Sequence, residues 1–362
     1  MAEYLKSSYD LIVIGAGPAG SSAARAAAQR GIRVLLIEQR QRIGIPVQCA
    51  EWVSQWISHH ASFDSKAVIQ SVDEMIVHLP EGNDFKFKNP GYMLDRSLFD
   101  KGLATSAILS GAELLTETKA LQTSSEGILV HQGTKEEWIK AKVIIGADGV
   151  HSTVVRSTGK PPLKQLVALQ YEVALFEPQS HTDIYFHPVY EGGYAWFFPK
   201  RNRANAGIGV IPSKTGLLPK LLNHFLTHLK DSRKLPRIEI LSKTGGSIPC
   251  EPREQTVYGN ILLVGDAAGH AHPITGAGIL NAVLGGTMAG TIGAEAIIRE
   301  DLDLLKNYET EWREAFGKSL QYGLFKRNFL EENWNRREID FNDLVRKSWV
   351  GFKEYHKERS VW

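Results

Sequence analysis

The sequence predicts an α/β chain in which a Rossmann-like nucleotide-binding unit is interleaved with a second, mainly antiparallel β-sheet and followed by C-terminal helices. Three observations predict it. A strand, a glycine-rich turn, a helix and an acid follow one another from Tyr9 to Glu38. A second strand and turn of related type, Gly259 to His270, lie almost a whole chain away. Between them, segments such as Glu74-Met-Ile-Val-His-Leu and Asp183-Ile-Tyr-Phe-His alternate in polarity with the period of two expected of a strand.

The first element is Leu11-Ile-Val-Ile, a continuous apolar run suited to a central parallel strand. Gly15, Gly17 and Gly20 follow it in GxGxxG spacing. Gly15 permits the tight turn, Gly17 lets backbone approach a pyrophosphate, and Gly20 lets the helix pack close to the strand. The helix spans about Pro18 to Gln29 and stops at Gly31, with its N-terminal N–H groups facing the phosphates. Arg33-Val-Leu-Leu-Ile-Glu38 is the next strand, and Glu38 at its end is placed to accept hydrogen bonds from both ribose hydroxyls. A 2′-phosphate would be repelled there, so this site is not an NADP site. The motif alone does not choose between NAD and FAD.

Further stretches make that choice. Ile144-Ile-Gly-Ala-Asp148-Gly149, continuing to Arg156, ends a hydrophobic strand in a turn that Asp148 can organise. Val264-Gly-Asp266-Ala-Ala-Gly and His272-Pro-Ile-Thr-Gly276-Ala-Gly278-Ile279 form a small-residue loop before a helix. Tyr194-Ala-Trp196-Phe-Phe198-Pro199 precedes Gly207-Ile-Gly209, and Pro46-Val-Gln-Cys49-Ala50-Glu51 forms a short cysteine loop. With these pieces the chain resembles the FAD-dependent oxidoreductases of the p-hydroxybenzoate hydroxylase fold and, within them, the geranylgeranyl reductase branch, over roughly residues 8 to 300.

The resemblance implies FAD as cofactor, held by Gly15, Gly17, Ala19, Gly20, Glu38, Cys49, Ala50, Arg96, Ala120, Asp266, Gly278 and Ile279. It implies that Arg96 contacts FAD phosphate or ribose, that Ala120 makes a backbone contact on the adenine side, and that Cys49 lies near flavin and substrate. Tyr194, Trp196 and Phe198 are then the substrate side of the flavin, although aromatic packing in a core strand is the plainer reading of the same residues. Two departures stand out. Trp52 follows the cysteine loop where the branch usually has glycine, which would reshape or close a lipid tunnel. The chain is also shorter after its last flavin motif than typical archaeal lipid reductases.

Domain limits follow: FAD-binding segments 1–75, 90–160 and 250–300; a substrate sheet from 76–89 and 161–249; a charged helical region 301–362. The tryptophans Trp312, Trp334, Trp349 and Trp362 punctuate that last region, which is expected to cover the pocket or the back of the FAD domain, with a membrane or carrier-protein surface as the alternative. A formal net charge of +2 gives no field for nucleic acid. Cys49 and Cys250, the two cysteines, form no CxxC pair and suit a reducing cytoplasm, with peripheral membrane contact open. No metal-ligand set is read from the histidines, so no metal is expected.

The expected activity is reduction of carbon–carbon double bonds in an apolar, isoprenoid-like substrate by hydride from reduced flavin. No second GxGxxG unit is present, so NAD(P)H binds only transiently if it is the electron donor; ferredoxin or a quinol are the other donors. The catalytic acid is unknown from sequence: Cys49 is the weak candidate, and His270 and His272 adjoin the flavin motif. Two other readings remain at this stage. One is a flavin monooxygenase or hydroxylase on the same fold. The other is an accessory flavoprotein reductase in a cofactor-maturation or biosynthetic pathway, acting on a carrier-bound substrate.

Overall fold

The computed structural model describes residues 6–357; Trp362 lies outside them. In chain order the strands are β1 Ser8–Ile14, β2 Val34–Ile37, β3 Trp52–Ser54, β4 Val68–Leu79, β5 Asn83–Leu94, β6 Glu113–Leu115, β7 Thr118–Ser124, β8 Gly127–Gln132, β9 Lys135–Gly146, β10 Gln165–Ala174, β11 His181–Tyr185, β12 Tyr194–Lys200, β13 Arg203–Val210, β14 Ile240–Pro249, β15 Val257–Tyr258 and β16 Ile261–Leu263. The α-helices are α1 Pro18–Ala28, α2 Ile57–His60, α3 Arg96–Leu109, α4 Thr153–Ser157, α5 Leu218–Asp231, α6 Ile279–Ile298, α7 Asn307–Trp312, α8 Lys318–Asn333, α9 Phe341–Ser348 and α10 Lys353–His356.

Two eight-stranded sheets result. In the first, β16, β9, β1, β2 and β6 run parallel in that spatial order. Leu11 to Val13 and Val34 to Leu36 are essentially sealed from solvent, because α1 and α6 cover one face of the parallel sheet and the β7–β8 hairpin with α4 covers the other. The β7–β8 hairpin joins its β9 side antiparallel. The second sheet has the order β14-β10-β13-β12-β11-β4-β5-β3 and is antiparallel except where β11 meets β4. The α/β architecture is the one expected. β3, the first part of β4 and the end of β5 belong to this second sheet, although they fall inside the segments assigned by sequence to nucleotide binding.

Helix α6 explains the apolar glycine-rich run near the end of the chain. A Cβ on Gly286 would lie 2.1 Å from the Ala19 carbonyl oxygen, and one on Gly290 2.1 Å from that of Ala23. The small residues therefore bring α6 onto the alanine face of α1, and dispersion over that close contact replaces the burial that larger side chains would give. Among the described residues no helix is long and apolar enough to cross a membrane.

The charged C-terminal region divides between the two sheets: Trp312 packs into the core of the first, and Trp334 and Trp349 pack on the second. Trp312, Trp334 and Trp349 are all buried. Trp349 meets Tyr194 and Phe186 edge-to-face at 5.2 and 5.1 Å, an arrangement that matches positive ring edges to negative faces.

Candidate active site between the two sheets

Strand β1 ends at a turn that only glycine can make. Gly15 has φ +101°, and a Cβ there would lie 2.4 Å from the Ala147 carbonyl oxygen. A Cβ on Gly20 would lie 1.8 Å from the Gly15 carbonyl oxygen, so α1 starts in direct contact with the strand end. Gly17 differs: nothing lies within 4 Å of its would-be Cβ. Two glycines are thus demanded by packing, and the third faces open space.

That space is a cavity of about 470 Å³ between the sheets. A smaller chamber of about 180 Å³ adjoins it, sharing Gly17, Gln48 and Arg96. Of the residues expected from sequence, Gly17, Ala19, Cys49, Ala50, Arg96, Asp266, Gly278, Ile279, Tyr194, Trp196 and Phe198 line the larger chamber. Glu38 lines the smaller one. Gly15, Gly20 and Ala120 line neither; Ala120 is a buried residue of β7. Glu38 is also already engaged. Its two oxygens accept the backbone N–H groups of Ala16 and Arg40, both at 2.9 Å, so the acid pins the glycine turn as well as facing the chamber.

Asp148 organises its turn as expected, accepting from Ser152 Oγ and from the Thr153 and Val154 N–H groups at 2.5, 2.6 and 3.2 Å. Asp266 is used differently. Its carboxylate opens onto the cavity and accepts no hydrogen bond from another described side chain. Protein encloses it closely enough that desolvation pushes its carboxyl up, against the pull of Arg96. A carboxylate left free to accept at a cleft wall is available to a ligand that donates hydroxyl groups. With the open face of Gly17, it fits a group that carries hydroxyl donors and phosphates, as a dinucleotide does.

Arg96 pairs bidentately with Asp100 at 2.8 and 2.9 Å. Burial opposes its charge, but the Asp100 carboxylate outweighs that, and the guanidinium stays firmly protonated. Burial also pushes the Cys49 thiol upward, against Arg96, so Cys49 is a neutral thiol at neutral pH.

The histidines play no comparable part. His270 is fully buried against Trp312 and Phe316, lines neither chamber, and burial, then Arg313, pushes its pKa down to about 3. His272 turns Nδ1 back to the N–H groups of Ile274 and Thr275. Among the described residues no group of three or more His, Cys, Asp or Glu could hold a metal ion.

The other wall belongs to the second sheet. Tyr194, Trp196 and Phe198 alternate along β12 and so share one face. Trp196 pairs across strands with Gly207, and a Cβ on that glycine would lie 2.3 Å from the indole. The glycine lets the ring lie flat on the sheet. Trp52 lies on Gly91 in the same way and lines the cavity without closing it. The C-terminal region contributes Trp349 and Val350 to the lining.

Sequence reading missed the polar residues that join the two walls. Gln48 Nε2 donates to the Gly245 carbonyl at 2.6 Å, Gln170 Nε2 to that of Cys49 at 3.0 Å, and Asn205 Nδ2 to that of Ala50 at 3.1 Å. Glu51, buried and at φ +68°, accepts from Lys200 Nζ at 2.5 Å, Asn205 Nδ2 at 2.9 Å and the Arg96 N–H at 3.0 Å. Four consecutive residues of the cysteine loop are therefore tied to the second sheet. A polar residue in mid-strand, as at Gln170 and Asn205, is the one sequence signal that could have found them.

Comparison with known proteins agrees with this geometry. Residues 10–150 match a family described as FAD dependent oxidoreductase, and residues 165–248 match the geranylgeranyl reductase catalytic domain. Digeranylgeranylglycerophospholipid reductase 2 of Methanococcoides burtonii is 36% identical over 94% of this chain and 89% of its own. The crystal structure of a geranylgeranyl bacteriochlorophyll reductase-like protein from Thermoplasma acidophilum is 26% identical, covering 98% of this chain and 99% of its own with a TM-score of 0.85. The flavin-dependent halogenase CmlS shares the fold at 18% identity, with a TM-score of 0.74 over 98% of this chain and 72% of its own.

Proposed function

The chain belongs to the geranylgeranyl reductase family of FAD-dependent oxidoreductases, and from that premise we propose that it reduces carbon–carbon double bonds of an isoprenoid-like lipid. The observation that carries the reading is the composition of one continuous cavity. Gly17, Arg96 and Asp266 stand on its first-sheet side, and Tyr194, Trp196, Phe198 and Trp52 on the other. The first set suits the cofactor and the second suits a hydrocarbon chain.

FAD, when bound and reduced, supplies the hydride chemistry. The open turn at Gly17 and the start of α1 would receive the pyrophosphate. Asp266 would accept from cofactor hydroxyls, and Arg96, held by Asp100, would supply positive charge. The aromatic face of β12 orients the apolar chain and keeps water out of the cleft. Cys49 holds a proton at Sγ on the same cavity wall, and under this reading it is the candidate that protonates the second carbon. The electron donor is NAD(P)H, a ferredoxin or a quinol. The reaction adds two hydrogens per double bond reduced.

The test is anaerobic. The purified flavoprotein is reduced with NADH, NADPH or dithionite and mixed with a geranylgeranyl lipid. Flavin reoxidation with a mass gain of two hydrogens per double bond is the expected result. Failure to reoxidise, with rapid oxygen uptake and a hydroxylated product in air, would instead assign a monooxygenase.

A further inference from the structure

Gln170 sits in the middle of β10, is buried, and lines the cavity. Its side chain joins the aromatic face of the second sheet to the cysteine loop. Trp196 Nε1 donates to Gln170 Oε1 at 2.8 Å, and Gln170 Nε2 donates to the Cys49 carbonyl at 3.0 Å. The orientation of this amide is forced. An indole N–H can only donate and a carbonyl can only accept, so the oxygen must face Trp196 and the nitrogen Cys49. We propose that Gln170 is a positioning residue that fixes the height of the cysteine loop above the Trp196 ring, and so the spacing between the cofactor side and the substrate side of the cavity.

The neighbouring contacts explain why this one is decisive. Glu51, Lys200 and Asn205 anchor the far end of the loop through a buried ion pair. Gln48 anchors the near end on Gly245. Between them, Cys49 has Gln170 as its tie to the sheet. Trp196 cannot take up the adjustment by sliding. Its ring rests against the Gly207 backbone, and its single N–H is committed to Gln170. A change at Gln170 therefore moves the loop, the indole or both. The geometry of the tie is independent of the substrate; its consequence for turnover rests on the double-bond reduction proposed above.

Gln170→Glu tests the tie with little change in volume. At high pH the carboxylate that it introduces still accepts from Trp196 but faces the Cys49 carbonyl with no hydrogen. At low pH its protonated form donates there again. The direct readout is the alkylation rate of Cys49 in the flavin-loaded protein, with the buried Cys250 as internal control, taken as the ratio of variant to wild type at each pH. That ratio is expected to rise about tenfold from acid to alkaline pH, the equivalent of about 1.4 kcal/mol and of one hydrogen bond lost. Gln170→Leu is expected to give the raised ratio at every pH, with flavin still bound. Turnover with a geranylgeranyl lipid should fall in parallel and recover at low pH in Gln170→Glu alone. A ratio of one at all pH values in both variants overturns the proposal. A pH-dependent ratio with no reduction of the lipid, even by wild type, leaves the tie standing and removes the assigned reaction instead. Should Gln170→Leu fail to fold, Gln170→Glu against wild type decides alone.

Discussion

The two walls of the cavity are built by opposite means. On the first-sheet side, shape comes from missing side chains: Gly15 and Gly20 are contacts that any Cβ would break, and Gly17 is an opening. On the second-sheet side, shape comes from large side chains seated on glycines, Trp196 on Gly207 and Trp52 on Gly91. The glycine turn of the first wall is local, made by residues a few positions apart. The second depends on strand register, so its parts come together only when distant segments pair. A backbone site tolerates no additions, whereas a side-chain site is sensitive to both additions and deletions.

The sharpest contrast lies within the first wall. Gly20→Val places carbon where the Gly15 carbonyl stands, and a cost above about 4 kcal/mol is expected, seen as loss of folded protein on denaturation. Gly17→Val meets nothing within 4 Å. It should melt close to wild type yet take up no flavin, because the branched side chain enters ligand space. Equal flavin uptake by Gly17→Val and wild type would break the comparison.

Asp266→Ala should keep the fold and weaken flavin binding about tenfold to a hundredfold, the worth of about 1.5–3 kcal/mol for hydrogen bonds to a charged group. Fluorescence titration of the apoprotein with FAD measures it, and full retention of colour would count against the role given to this carboxylate. On the other wall, Gly207→Ala puts a methyl group against the Trp196 indole at a cost of about 1–3 kcal/mol. Here the flavin should stay and turnover should fall, the reverse of the Asp266 result.

A further effect, seen only on acidification, concerns His270. Its pKa falls from an ordinary 6.5 to about 3 in the folded protein through burial, then Arg313. The unfolded chain therefore takes up a proton first as pH drops. Stability from this group is complete above about pH 6.5 and is lost as pH falls towards about 3. His270→Phe should flatten the dependence of Tm on pH over that window, whatever it does to Tm itself.

How much could be read in advance follows the same division. The Tyr9 to Glu38 motif and the turns at Asp148 and Asp266 were legible because each is a short run whose residue types answer one local demand. Ala120 was carried over by resemblance and lies outside both chambers, and Glu38, expected to accept from ribose hydroxyls, also holds the glycine turn. The latch of Glu51, Gln170, Lys200 and Asn205 was not legible. Its hydrogen bonds span 121 positions from Gln170 to Cys49 and 155 from Asn205 to Ala50. The same holds for the C-terminal region: tryptophan spacing suggested a cover, but the contact of Trp349 with Tyr194 could not be read from either segment.

By itself, then, the amino-acid order determined the nucleotide-binding turn, the parallel strands that carry it and the family of the chain. These depend on backbone conformation and on periodicity, which are properties of neighbouring residues. The tertiary structure alone decided which side chains face each other across the cavity, that Trp52 lines it without sealing it, and that a buried glutamine spans its two walls. Those outcomes depend on the register of paired strands and on the packing of one sheet over another, and no short segment of the chain encodes either.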